Sequence, residues 1–435
     1  MRPRTASLCS CLAIVLTAAG PKGMVHAQTL TTLHSFSGST ADGAYPFPAG
    51  HIPFDASGAL YGATGGGGTS QFGTIYQLAP QGSGWAETIL YNFSGGADGR
   101  QPSSGLVLDA SGNIFGSTAF GGNLQLCGGG CGTIFELSPP AHPGGAWTEQ
   151  VLYTFQGGFD GQYPGEMVIG VNGSLFGTTS SGGTPGVQCH SNSKLKFGCG
   201  TVFELTPPSQ KGGSWTKTVL HTFPATSADG TSPSNEITID SAGNIYSVTG
   251  SGGSGHYGIA YLLTAPSGNG SWTETILHSF TGGSDGGYPG GTLVAGANGT
   301  WYGTGSYSGT ANASGVVFQL TSSGGTWTEK VIHTFPASKG DGTTPASTMA
   351  IDASGNLYGT TDFGGSTSCY EGCGTVFKLA PPSGSGSWTE TILHDWANSG
   401  QTPNESQVIL HNGLLLGETM FLGSADLGSV FTLTP

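Results

Sequence analysis

Charge is scarce in this 435-residue chain, and positive charge is scarcest. Eleven lysines and arginines stand against twenty-five aspartates and glutamates, giving a formal net charge of −14 at pH 7. Such a surface repels phosphate polyanions, which argues against nucleic acid and leaves cations, neutral glycans and polypeptides as partner classes. Long apolar runs are also missing. The run from Leu8 to Ala19, behind Arg2 and Arg4, is too short to span a bilayer as a helix. It reads as the core of a secretory signal peptide, with Val25-His26-Ala27 supplying the small residues for cleavage before Gln28. Removing Arg2, Arg4 and Lys22 leaves eight basic side chains and a net charge of about −17. No later stretch reads as a membrane span, and the C-terminal VFTLTP carries no hydrophobic tail, basic cluster or sorting signal. The expectation is an exported, soluble monomer.

Recognisable catalytic motifs are absent as well. The chain shows no nucleophile elbow between strand and helix, no H-E-x-x-H, no P-loop and no dinucleotide fingerprint, so no cofactor is expected. What it has in abundance is glycine, 80 residues, together with 10% aromatics. Glycine and β-branched residues favour short strands joined by tight turns, and the aromatics supply the core area that a disordered chain lacks.

A unit of roughly 56 residues recurs, with four strand-like segments in fixed order. The second segment appears seven times, at Leu60-Tyr61-Gly62, Ile114-Phe115-Gly116, Leu175-Phe176-Gly177, Ile245-Tyr246-Ser247, Trp301-Tyr302-Gly303, Leu357-Tyr358-Gly359 and Leu415-Leu416-Gly417. The third also appears seven times, around Ile75, Ile134, Val202, Ile259, Val317, Val376 and Val430. The fourth has only six full copies, opening at Trp85, Trp147, Trp215, Trp272, Trp327 and Trp388; the end of the missing copy is the Thr31 to Phe36 segment. A repeat divided between the two termini is what a closed ring needs, because the N-terminal strand completes the last sheet and leaves no open edge. The expected fold is all-β, a seven-bladed β-propeller of four-stranded blades over residues 28–435, with a capped β-solenoid as the rival. Asp109, Asp240 and Asp352 open Asp-x-x-Gly turns between strands one and two and are expected to be turn formers.

The repeated DGxxP, GNLYGTT, GTVFxLTP and WTExxLHSF words resemble the GloVer tandem repeat of secreted bacterial proteins, the choice-of-anchor group. The resemblance covers nearly all of residues 28–435. It implies export and display, names no reaction, and differs here in that no C-terminal anchor is recognisable.

Six cysteines remain beyond residue 27, all between strands two and three of a blade: Cys127 with Cys131, Cys189 with Cys199, and Cys369 with Cys373. Their even number, local pairing and exported context predict three disulfides rather than metal sites, since each loop offers two thiols and zinc needs four ligands. His190 is accordingly read as a loop residue.

The strand-two-to-three loops share a face with the links between blades, where the DGxxP words fall. Asp42, Asp98, Asp160, Asp229, Asp285 and Asp341 are expected to ring that face, with Ser399 in the seventh copy; Tyr45, Tyr163 and Tyr288 precede the motif proline. The aspartates are explained by turn formation, whereas the tyrosines are not, and aromatic faces beside carboxylates suit sugar rings or cations. Asp42, Tyr45, Asp98, Arg100, Asp160, Tyr163, Asp285 and Tyr288 are therefore the candidate ligand contacts. The strand-four set His34, Tyr91, Tyr153, His221, His278, His333 and His394 is expected to spread around the rim as packed side chains, with no shared metal. The repeated Glu136, Glu149, Glu204, Glu274, Glu329 and Glu390 read as scaffold. Arg100, Gln101, Gln162, Glu166, Glu236, Glu371 and Glu405 depart from the repeat, and Glu166 with Glu236 are candidates for a carboxylate pair near the tunnel mouth. The reading favoured by these features is a binding module for a glycan or an extracellular protein. The alternative is a polysaccharide hydrolase or lyase with an acidic site at the mouth.

Overall fold

The computed structural model describes residues 28–435 apart from 47–50, 104, 143, 185–188, 190–197, 211, 225–227, 269, 311–312, 337–339, 346, 366–371, 385, 397–406 and 422. Residues 1–27, and with them the expected signal peptide, lie outside the described part. The chain forms a seven-bladed β-propeller of antiparallel sheets. Blade one runs from Gly43–Pro46 through Leu60–Gly67 and Thr74–Gln81 to Gly84–Asn92, innermost to outermost. In blades two, three, four and six the innermost strand is broken into two short pieces, for instance Arg100–Pro102 and Val107–Leu108. In blades two, three and four the first piece ends at the motif proline, Pro102, Pro164 or Pro233, which has no N–H to give the ladder.

Closure follows the divided repeat. Leu30–Ser35 forms the outer strand of blade seven and pairs antiparallel with Ser429–Leu433, setting Leu30 opposite Leu433 and His34 opposite Val430. The same outer-strand pairing carries a register shift in all seven blades, immediately before His34, Tyr91, Tyr153, His221, His278, His333 and His394. One extra residue there, Leu33 or its counterpart, bends the strand and re-aims the side chain that follows.

The core lies between blades. The strand-four aromatic of each blade meets the strand-three aromatic of the next: Phe36–Tyr76, Phe93–Phe135, Phe155–Phe203, Phe223–Tyr261, Phe280–Phe318, Phe335–Phe377 and Trp396–Phe431, with ring centroids 4.9–5.8 Å apart. Edge and tilted contacts of this kind add about 0.5–1.5 kcal/mol each beyond area burial. The Phe36–Tyr76 pair joins the two ends of the ring, and Leu416 and Val430 pack beside it with Ile52, Leu60 and Leu78.

The repeated glycine before strand three has a specific role in this packing. Gly73 has φ 102°, and a Cβ there would stand 2.3 Å from the Thr64 carbonyl oxygen and 2.6 Å from Pro102 Cδ of the next link. Only glycine lets the following blade's DGxxP proline seat against the strand. Two of the expected disulfides are present, Cys127–Cys131 and Cys189–Cys199. Cys373 is also disulfide-bonded, while its expected partner Cys369 lies outside the described residues. Among the described residues no helix is long and apolar enough to cross a membrane.

Candidate functional site

Three regions concentrate polar or aromatic side chains: the linking face, the junctions between blades and the axis. On the linking face, each candidate aspartate is taken up by its own turn. Asp42 accepts from the Ser37 N–H and hydroxyl at 2.7 Å and from the Gly43 N–H at 2.7 Å, and lies 3.3 Å from His34 Nε2. Burial pushes its carboxyl up, but hydrogen bonds from His34 and Ser37 outweigh burial and hold it at about 2. Asp98 is bound by Ser94 and Tyr91, Asp160 by Tyr153 and the Gln156 N–H, and Asp285 by Thr281 and His278. Asp109, Asp240 and Asp352 likewise accept backbone N–H bonds within their hairpin turns.

The tyrosines behave differently. Tyr45, Tyr163 and Tyr288 have φ of 57°, 59° and 49°, the left-handed conformation that the same link position also takes at Gln101, Ser232 and Thr344. Each is held there by its own N–H, donated across the blade junction to the carbonyls of Leu427, Cys131 and Tyr257 at 2.7, 3.0 and 2.8 Å. Tyr45 and Tyr288 stay exposed, and each of the three rings joins a neighbour. Tyr45 meets Phe421 at 5.9 Å; Tyr163 meets Phe120 at 5.1 Å, with the Arg100 guanidinium 5.3 Å from the same Phe120 ring. Tyr288 forms a trio with Tyr257 and Tyr307, in which Tyr257 and Tyr307 stack at 5.6 Å and 10°. Tyr257 and Tyr307 were not singled out from sequence, although Tyr257 stands immediately before the glycine of strand three, where Phe72 stands in blade one. The blade-three stapled loop is largely outside the described residues, as are Glu371, Ser399 and Glu405.

At the junctions, the rim histidines do not meet one another, but His34, His221, His278 and His333 meet carboxylates, and three of these belong to groups of three possible ligands. His34, Asp42 and Glu87 form one group, His221, Asp229 and Glu274 a second, and His333, Asp341 and Glu390 a third. In each, the histidine comes from strand four of one blade, the aspartate from the link and the glutamate from strand four of the next. Burial raises Glu87 to about 8 and Glu274 to about 7; burial and then the charge of Glu390 raise Asp341 to about 6. The reading of Glu274 and Glu390 as repeated scaffold missed this convergence, and Glu87 was not singled out from sequence. At the junction of blades two and three, Lys217 replaces the glutamate; its Nζ lies 2.9 Å from Asp160 Oδ1 and 2.5 Å from the Asp160 carbonyl, with a side chain only 3% exposed.

At the axis, the inner strands present His51, Gly105, Glu166, Glu236, Thr292, Thr348 and Gln407 at the same position of the seven repeats. Contacts between non-adjacent blades show that they converge. Thr348 donates to Glu236 Oε2 at 2.5 Å, Gln407 Nε2 lies 3.5 Å from the same oxygen, and His51 Nδ1 lies 3.9 Å from Glu166 Oε2. Gly105 makes room for this, since a Cβ there would fall 2.2 Å from Glu166 Cδ. Burial, reinforced by the charge of Glu166, raises Glu236 to about 8. Burial also raises Glu418, which accepts from the Tyr76 hydroxyl, to about 8. Glu166 and Glu236 are both buried, 5% and 8% exposed, and near enough for the charge of Glu166 to raise Glu236. A pocket of about 590 Å³ opens beside them on the hairpin side, lined by His51, Ile52, Phe54, Leu106, Val107 and Ile409 among others.

Comparison with known proteins supports the fold. A polysaccharide lyase, an ulvan lyase, is 10% identical with a TM-score of 0.53, over 91% of this chain and 95% of that one. A gluconolactonase from Xanthomonas campestris is 12% identical with a TM-score of 0.38, over 94% and 89%. A Trypanosoma rangeli sialidase is 13% identical with a TM-score of 0.42, over 94% and 58%. The likeness to the ulvan lyase shows the propeller fold alone, and no curated protein matches the chain. The repeats themselves match the model of the Gloeobacter/Verrucomicrobia repeat over residues 22–187 and 186–431, and the chain belongs to that family.

Proposed function

We propose that this protein is an exported carbohydrate-binding propeller that takes neutral glycans on its linking face. The observation that carries this reading is the Tyr257–Tyr288–Tyr307 trio, in which three aromatic rings are gathered at the linking face. Sugar rings present C–H faces that pack on such surfaces, and tyrosine adds a hydroxyl for orientation at low entropic cost. Tyr45 with Phe421, and Tyr163 with Phe120 and Arg100, supply two further contact points at other links. Because the candidate aspartates are engaged by their turns, the reading rests on the tyrosines and Arg100. The negative net charge favours uncharged over polyanionic glycans. The two disulfides support an extracytoplasmic setting.

A second reading, a glycan hydrolase or lyase, draws on Glu166 and Glu236. A carboxyl raised to about 8 beside another carboxylate is an acid–base arrangement, and half-exposed His51 connects it to the 590 Å³ pocket. A neutral-glycan array combined with a reducing-end release assay separates the two. We expect binding without turnover, with affinity reduced about tenfold by Tyr288→Ala and further by adding Tyr307→Ala, the loss of one or two aromatic contacts. Binding unaffected by these substitutions in the folded protein overturns the assignment of the face. Turnover abolished by Glu166→Gln or Glu236→Gln moves the function to the tunnel.

A further inference from the structure

Three of the histidine-containing junctions have a geometry that neither the fold nor glycan binding requires. At the junction of blades seven and one, His34 Nε2 lies 3.3 Å from Asp42 Oδ1 and 3.5 Å from Glu87 Oε2. Between blades three and four, His221 Nε2 lies 3.6 Å from Asp229 Oδ2 and 3.7 Å from Glu274 Oε1. Between blades five and six, His333 Nε2 lies 3.2 Å from Glu390 Oε2. In each group the three ligand atoms lie within 4.8 Å of one another. A tetrahedral ion with bonds of about 2.0–2.2 Å separates its ligands by about 3.3–3.6 Å, close to these spacings; the His34–Asp42 approach is also a hydrogen bond, whereas His221 Nε2 and His333 Nε2 make none among the described residues.

Two further observations point to a cation. Of the atoms named above, His221 Nε2, Glu274 Oε1 and His333 Nε2 are buried without a hydrogen-bond partner among the described residues, as are the second oxygens of Glu87 and Glu390; Glu149 Oε1 and Glu329 Oε1 share this at junctions without a three-ligand group, so it is the two histidine nitrogens that set these junctions apart. Buried polar atoms are rarely left so. The blade-two-to-three junction, in turn, shows what satisfies this position. There the glutamate is replaced by Lys217, whose buried ammonium sits on Asp160 and faces the rings of Phe155 and Phe203 at 5.2 and 5.3 Å. The fold thus carries a covalently supplied cation at one junction and a preserved set of ligands at three others.

We propose that the junctions His34–Asp42–Glu87, His221–Asp229–Glu274 and His333–Asp341–Glu390 each bind one divalent cation of the zinc type, tying adjacent blades together. The histidine Nε2 and one oxygen from each carboxylate are the ligands, and the fourth position is left to water because the side chains remain partly exposed. An imidazole in every set selects a zinc-like ion over calcium or magnesium, which prefer all-oxygen shells.

The test is titration of the untagged full chain, stripped with chelator, with zinc chloride in a calorimeter, and in parallel with calcium chloride. We expect three zinc ions per chain and no comparable calcium binding. His34→Gln, His221→Gln and His333→Gln should each lower the zinc number from three to two in protein with an unchanged circular dichroism spectrum. His278→Gln should leave it at three, because His278 with Asp285 forms no such three-ligand group among the described residues. Should any single variant fail to fold, Glu87→Gln, Glu274→Gln or Glu390→Gln tests the same junction from the neighbouring blade. Absence of zinc binding by the folded parent, or three zinc ions retained in the folded single variants, overturns the proposal.

Discussion

Replacing Glu236 with glutamine should stabilise the protein, but only at high pH. In the folded chain burial and the charge of Glu166 raise this carboxyl from 4.5 to about 8. Below pH 4.5 it is protonated whether the chain is folded or not, and it costs nothing. Between 4.5 and 8 the folded state holds a proton that the unfolded state releases, so stability falls as pH rises; above 8 the full cost is present. At 1.36 kcal/mol per pH unit the ceiling is about 5 kcal/mol. Glutamine is neutral and nearly isosteric, keeps an oxygen to accept from Thr348, and offers an amide N–H toward Glu166. Burying that amide takes back about 1–3 kcal/mol, so the net gain at pH 9 should be about 2–4 kcal/mol. Guanidinium unfolding of parent and Glu236→Gln protein at pH 4.5, 7 and 9 measures this. Curves that coincide at pH 9 would show that the axial carboxylates do not repel, and an equal gain at all three pH values would reassign the effect to packing.

Deleting residues 28–36 should abolish cooperative unfolding and cause aggregation, because it removes the partner of Ser429–Leu433 and the fully buried Phe36. A melting transition unchanged by the deletion would refute closure by that strand. Lys217→Met should cost about 3 kcal/mol, since it leaves Asp160 without its buried ammonium, whereas Lys330→Met at an exposed position should change stability by less than about 0.5 kcal/mol. Equal effects of the two substitutions in chemical denaturation would show that the Lys217 contact is worth no more than a surface charge.

The sequence by itself determined whatever repeats within one blade or divides the repeat between the termini. Strand order, the Asp-x-x-Gly hairpins, the two described cysteine staples and the pairing of Leu30–Ser35 with Ser429–Leu433 are all local in the repeat or follow from its truncation. The departures at Glu166 and Glu236 were visible too, because a carboxylate where Gly105 or Thr348 stands in other copies breaks the period. Only the tertiary structure decided what those departures meet. His34 and Glu87 lie in strand four of different blades, and the residue inserted before His34 turns the imidazole toward the junction, so one letter per repeat gave no sign of a three-ligand group. Glu236 finds Thr348 two blades away and Gln407 three blades away, a contact available only near the axis where all seven inner strands converge. Tyr288 looked like a turn neighbour until its left-handed backbone set its ring against Tyr257 and Tyr307. A linear repeat fixes the chemistry each blade carries, but which side chains touch depends on the angle between blades and the closure of the ring.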